Sequence, residues 1–151
     1  MITIPLDDLD KKILRELQQD GRISFADLGR KLDVPEATIR FRVKRLEDHR
    51  VITRFTALVD PSKVGIVVSG AILLKIDPAH LDDACKRLTD FCEVGYLFQS
   101  TGEYDIVSVV FAHDLEEFND VVRRVKLIVG VKDARVSVTT RFLKNNQELT
   151  F

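Results

Sequence analysis

Residues 6–54, LDDLDKKILRELQQDGRISFADLGRKLDVPEATIRFRVKRLEDHRVITR, decide the fold. They hold three amphipathic segments with almost no linker between them. In the first, residues 6–20, Leu9, Ile13 and Leu17 form one stripe with Leu14 beside it, and Asp7, Asp8 and Asp10 sit where a helix dipole favours negative charge. The second, residues 24–32, opens with Ser24 and Asp27 in a capping relation and offers Phe25, Leu28 and Leu32 for burial. Only Asp33 and Val34 separate it from Pro35, and proline is tolerated best in a helix's first turn, so a third helix is expected to begin there. The turn between the second and third segments is therefore tight and angular, as in a helix-turn-helix.

In the third segment, residues 35–48, Ile39, Val43 and Leu46 share one narrow arc of the helical wheel. Ala37, Thr38, Arg40, Phe41, Lys44 and Arg45 occupy the opposite arc. An inner apolar face with an outer face of Thr, Arg and Lys suits entry into a major groove of double-stranded DNA, where the cations reach guanine edges or phosphates and methyl groups touch thymine. The DNA-reading surface is expected over residues 34–45, from Pro35 and Glu36 onward, with Ser24 at the head of the preceding helix. Arg42 lies at the edge of the apolar arc, where it either bridges to an acid such as Asp10 or touches DNA. On an isolated helix a cationic face is ordinarily only a solvated one. The capped helix and two-residue turn before it are what favour the nucleic-acid reading.

Composition agrees with two small domains. The chain has 151 residues and a net charge of −1, which alone argues neither for nor against nucleic acid. Distribution says more: residues 30–54 hold eight Lys or Arg against four acids, whereas residues 61–151 hold eleven against thirteen. A local basic footprint is what one DNA-touching element of a neutral protein produces. No apolar run approaches the roughly 18 residues that cross a bilayer, and residues 1–5 lack the start of a signal peptide, so a cytoplasmic protein with no membrane partner is expected. Cys85 and Cys92 match no metal or redox spacing; both are expected to be reduced and mostly buried, with no cofactor.

The second half alternates strand and helix patterns. Residues 52–59 are β-like and end at Asp60 and Pro61, which read as a boundary between a helix-turn-helix domain at 1–60 and a second domain at 61–151. There, residues 67–76 read as strand, 80–91 as helix, 94–100 and 104–112 as strands, 115–128 as helix and 130–143 as strand. That order, βαββαβ, is the split ferredoxin-like arrangement, so the whole chain is α+β: a winged-helix-like N-terminal domain and a ferredoxin-like C-terminal one. Ala71, Ile72, Leu73 and Leu74, and likewise Val109, Val110 and Phe111, are apolar on both strand faces. With helices on one side only, an apolar face is left to cover, either by a second copy of the sheet or by the N-terminal domain.

Residues 101–105, Thr101, Gly102, Glu103, Tyr104 and Asp105, form the loop of this domain with chemical character. Gly102 suits the hairpin, and exposed backbone donors with two carboxylates offer partners to both ends of a zwitterion; the same residues also suit a plain polar turn. Nothing supports catalysis: His49, His80 and His113 are scattered, and no nucleophile, P-loop or zinc motif is present. A small-molecule-binding enzyme or regulatory subunit would leave the cationic third helix unexplained. An architectural DNA-binding protein would differ in selectivity alone.

As an ordered series, residues 6–65 and their continuation to residue 151 resemble the Lrp/AsnC (leucine-responsive and asparagine) transcriptional regulators of bacteria and archaea. Two departures are visible: Val34 and Pro35 replace a common Ser cap, and Arg50 replaces a common Gly after the third helix. The resemblance implies C-terminal domains paired into dimers, which often form octamers. It also implies that the 101–105 turn helps bind an amino-acid effector, at a site completed by the last strand, often that of a neighbouring subunit. There Ala134 and Val136 stand where many members carry Thr, so the implied effector is different, more apolar, or absent.

Overall fold

The computed structural model of the chain describes residues 4–144 and 148–151. They form two compact units, one of the residues up to Leu58 with residues 148–151, the other Val59–Lys144.

In the first unit, α1 (Asp8–Gln19) starts at a reciprocal capping box. The Asp10 N–H donates to the Asp7 carboxylate at 2.9 Å and the Asp7 N–H to the Asp10 carboxylate at 3.1 Å. Ser24 caps α2 (Phe25–Leu32) by accepting the Asp27 N–H. Pro35 is the residue before α3 (Glu36–Asp48), whose N-terminus has no side-chain cap. The three apolar stripes meet in a core of Ile13, Leu14, Leu28, Ile39, Val43 and Leu46. Each such side chain contributes roughly 1.5–3 kcal/mol of transfer free energy when fully buried.

The turn between α2 and α3 follows from two residues. Asp33 takes the left-handed conformation, φ 55°, and the Val34 N–H donates to the Gly29 carbonyl at 2.9 Å, closing the end of α2. The chain folds back so closely that a Cβ on Gly29 would lie 2.6 Å from the Val34 carbonyl oxygen, so only glycine fits without a shift. Helix α3 ends in the same motif: the Arg50 N–H donates to Glu47 and the Val51 N–H to Leu46, both at 2.8 Å, with Arg50 at φ 55°. Arg50 thus occupies a left-handed position that glycine would fill without strain.

Residues 52–59, expected to be β-like, form no strand; Phe55, Leu58 and Val59 are exposed. A strand requires a ladder partner for its backbone groups, and among the described residues none pairs with this segment.

The second unit follows the βαββαβ order, with β1 (Val68–Ile76), α4 (Leu81–Thr89), β2 (Val94–Gln99), β3 (Ile106–Ala112), α5 (Leu115–Lys126) and β4 (Val131–Val138). The four strands pair antiparallel in the order β2-β3-β1-β4. Ile72, Leu74, Ile106 and Val110 of the sheet pack against Leu88 of α4 and Phe118 of α5. Gly70 makes room for Phe118, whose Cζ would lie 2.6 Å from a Cβ there. The last strand stops at Val138, short of residue 143. One cysteine departs from expectation: Cys85 is half-buried, but Cys92 is exposed, because α4 ends at Thr89 and Cys92 is no longer on a helix.

Candidate functional site

Helix α3 carries four cations in two roles. Arg42 and Arg45 both turn to Asp10 of α1, a carboxylate with no exposed surface. Arg42 Nη1 donates to Asp10 Oδ1 at 3.1 Å and also to Asp7, and Arg45 Nη2 donates to Asp10 Oδ2. The Asp7 carboxyl is pulled down to about 2, first by the Asp10 N–H it accepts and then by Arg42. Its bond to Asp10 turns the half-buried Arg45 side chain inward from the outer arc on which the helical wheel places it. Of the two roles open to Arg42, the structure contains the bridge.

The other two cations face out. Arg40, 64% exposed, meets Glu36 one turn earlier at 2.6 Å and lies 5.3 Å from the Phe25 ring centroid. Lys44, 75% exposed, meets Asp48 at 3.3 Å. Such pairs on a helix surface are worth only a few tenths of a kcal/mol, about 0.3–0.5, and yield readily to a phosphate. Phe41 is 68% exposed beside them, a large ring presented outward with Ala37, while Thr38 is half-buried. Pro35 and Glu36 are exposed at the start of α3. The hydroxyl of Ser24 is engaged within α2's cap, accepting from the Asp27 N–H and donating to its carboxylate.

Within the second unit, α4 and α5 pack on one face of the sheet, and among that unit's described residues no helix covers the other face. By register, Ala71, Leu73 and Lys75 share that face with Val107, Val109 and Phe111 of β3, and with Asp133, Arg135 and Ser137 of β4. Tyr96 and Phe98, opposite Val109 and Val107, are about half exposed there. The 101–105 hairpin closes one end of the face. Its Gly102 has φ 119°, and Thr101, Gly102 and Glu103 are exposed. Asp105 anchors it: one carboxylate oxygen accepts the Ile76 N–H at 2.8 Å and the other accepts Lys75 Nζ at 3.2 Å, and these hold the acid below its usual range. Asp105 is therefore already engaged, leaving Glu103 as the exposed acid of the turn. Tyr104 is buried; its hydroxyl donates to Asp133 at 3.1 Å and the Arg135 guanidinium lies 5.5 Å from its ring centroid. Burial, then the bond to Asp133, push its phenol up.

Ala134 and Val136 fall on the other side. They oppose Leu74 and Ile72 and pack with the helix-covered core, so the residues of β4 beside the hairpin are Asp133 and Arg135. Side chains alternate along a strand, and an error of one residue exchanges the faces. That parity cannot be read from spacing along β4, because it is set by the pairing with β1. Among the described residues no cluster of His, Cys, Asp or Glu could hold a metal ion. No helix among them is long and apolar enough to cross a membrane.

A three-helix unit with an outward-facing cationic third helix, joined to a ferredoxin-like unit with a polar hairpin at the end of an open sheet face, defines a DNA-binding regulator class. Residues 6–47 match the AsnC-type helix-turn-helix domain and residues 70–149 the Lrp/AsnC ligand binding domain. The chain belongs to the Lrp/AsnC family of helix-turn-helix transcriptional regulators. It is 37% identical to a helix-turn-helix type transcriptional regulator of Pyrococcus horikoshii, over 95% of this chain and 96% of that one. Among solved structures, a transcriptional regulator of Neisseria meningitidis in complex with L-methionine superposes with a TM-score of 0.90 at 28% identity, covering 97% of each chain. The feast or famine regulatory protein of M. tuberculosis, also complexed with L-methionine, gives 0.89 at 27% identity over 96% of this chain and 99% of that one.

Proposed function

We propose that this regulator reads double-stranded DNA with the exposed surface of α3, where Arg40, Lys44, Phe41 and Ala37 meet the major groove and Pro35, Glu36 and Thr38 frame its entry. The observation that carries this reading is the division of labour among the four cations. Arg42 and Arg45 are tied to the buried Asp10 and hold the helix, while Arg40 and Lys44 pair with exposed acids of their own helix, Glu36 and Asp48, and Arg40 also lies over the Phe25 ring of α2. Ser24 caps α2 and so acts through the turn. The protein acts by binding, without catalysis, in the cytoplasm where its DNA lies.

The working form is a dimer built on the open sheet face. Leu73, Val107, Val109, Tyr96 and Phe98 form an apolar patch there, and a second copy covers it with like surface. A dimer sets two α3 helices on one side of a duplex. Association of dimers into octamers would follow through other surfaces. Leu73→Asp, placing a charge in the patch, should shift the protein to monomers in light scattering.

The effector is an apolar amino acid held at the 101–105 hairpin. L-Methionine in two relatives supports the class. Backbone donors at Thr101 and Gly102, the Glu103 carboxylate and the Arg135 guanidinium supply partners for a zwitterion's two ends, and Tyr104 supplies an aromatic wall.

The deciding experiment is selection of source-genome fragments by the purified protein. Retained fragments should share paired half-sites centred about 10 base pairs, or a multiple, apart. Equal retention of all fragments would favour an architectural role and refute sequence-specific reading.

A further inference from the structure

Helix α1 has a polar face that takes no part in the three-helix core. Arg15 and Gln18 lie one turn apart on it, and residues 148–151 are held there. Gln18 grips one residue by both backbone groups: its Oε1 accepts the Leu149 N–H at 2.7 Å and its Nε2 donates to the Leu149 carbonyl at 3.1 Å. Arg15 Nη2 donates to the Phe151 carbonyl oxygen at 2.6 Å, and its guanidinium lies 5.9 Å from the Phe151 ring centroid. A side-chain amide that satisfies the N–H and C=O of a single residue does what a neighbouring strand would do. It recognises extended main chain with no demand on the side chain, and Leu149 accordingly points outward at 72% exposure. Selectivity comes from the second contact, where a cation meets both an aromatic face and a carbonyl.

We propose that the Arg15–Gln18 face of α1 is a docking site for an extended peptide segment and that residues 148–151 of the same chain occupy it as a strap. Helix α1 then has two tasks. Its inner edge holds α3 through Asp10, and this second face holds the strap.

Amide hydrogen exchange of the isotopically labelled full-length chain, read by NMR, tests the proposal. The Leu149 amide should exchange about tenfold more slowly than in an unstructured peptide. Gln18→Ala should return it to the unprotected rate while the amide of Ile13 keeps its protection, which shows that the helix is still folded. Leu149→Pro, which removes the donor from the other side, should shift the side-chain amide resonances of Gln18. To assign the occupant, labelled wild-type protein is mixed with excess unlabelled Gln18→Ala protein and allowed to exchange subunits. Retained protection of Leu149 supports a strap within one chain. Loss of protection on mixing would mean that a second copy's helix receives it and would overturn the assignment. An unprotected Leu149 in the wild type, or protection indifferent to Gln18→Ala, would overturn the docking site itself.

Discussion

Replacing Asp10 by alanine should destabilise the DNA-reading unit without touching its outer surface. The carboxylate is fully buried and accepts from Arg42, from Arg45 and from the Asp7 N–H. Removing one partner of a fully buried ion pair costs about 3–5 kcal/mol, because the other charge is stranded. Here the two stranded guanidinium groups belong to side chains 23% and 32% exposed, so water partly rescues them. The expected loss is therefore about 2–3 kcal/mol. Asp10→Asn keeps the shape but sets an amide N–H₂ against a cation, and should lose somewhat less. Urea denaturation followed by circular dichroism at fixed protein concentration measures both, with Glu47→Ala as an exposed control expected within about 0.5 kcal/mol of wild type. The double variant Asp10→Ala, Arg45→Ala should show a coupling of about 1–3 kcal/mol, since either change alone breaks the same contact. An Asp10→Ala variant as stable as the control would refute the claim that this carboxylate holds α3.

Three further outcomes follow from local geometry. Arg50→Gly should raise stability by about 0.5–1 kcal/mol in the same denaturation assay, because Arg50 pays for a left-handed φ that glycine adopts freely. Gly29→Ala should lower it by about 1–3 kcal/mol, since the added Cβ meets the Val34 carbonyl at 2.6 Å and the turn must open. The Asp7 carboxyl is depressed from 3.8 to about 2, so near pH 3 the folded state holds fewer protons than the unfolded one. Its contribution is full above about pH 4 and is lost as pH falls through about 2. Asp7→Asn should flatten the acid limb of a pH–stability profile over that window.

Much of this was legible because helical periodicity and capping are local. The stripe Leu9, Ile13 and Leu17, the Ser24 cap and the break at Pro35 each depend on residues within a turn or two, and the helices fall where those signals lie. The βαββαβ order was equally readable from alternating periods. What escaped depends on partners distant in sequence. Arg45 sits on the outer arc of an ideal wheel, yet its long side chain bends back to a carboxylate thirty-five positions earlier. The resemblance implies Ala134 and Val136 at the effector site, whereas the pairing of β4 with β1 turns them to the core of their own unit and sets Asp133 and Arg135 on the hairpin's side of the sheet. Residues 52–59 have β-forming composition but meet no ladder partner among the described residues. The engagement of Asp105 by Ile76 and Lys75 is likewise a cross-strand contact, invisible to spacing along the hairpin.

The division of α3 into Arg40 and Lys44, which read DNA, and Arg42 and Arg45, which hold the helix, is decided by the salt dependence of binding to a selected operator. Arg40→Ala and Lys44→Ala should keep wild-type stability within about 0.5 kcal/mol. A residue that contacts phosphate should flatten the slope of log K against log salt by about one for each copy of the helix on the duplex. A residue that reads a base should instead lose about 1–3 kcal/mol of discrimination at one operator position. Arg45→Ala should lower stability and leave the slope unchanged. Wild-type affinity, slope and discrimination in both the Arg40 and Lys44 variants, with a reduced slope in the Arg45 variant, would contradict the assignment.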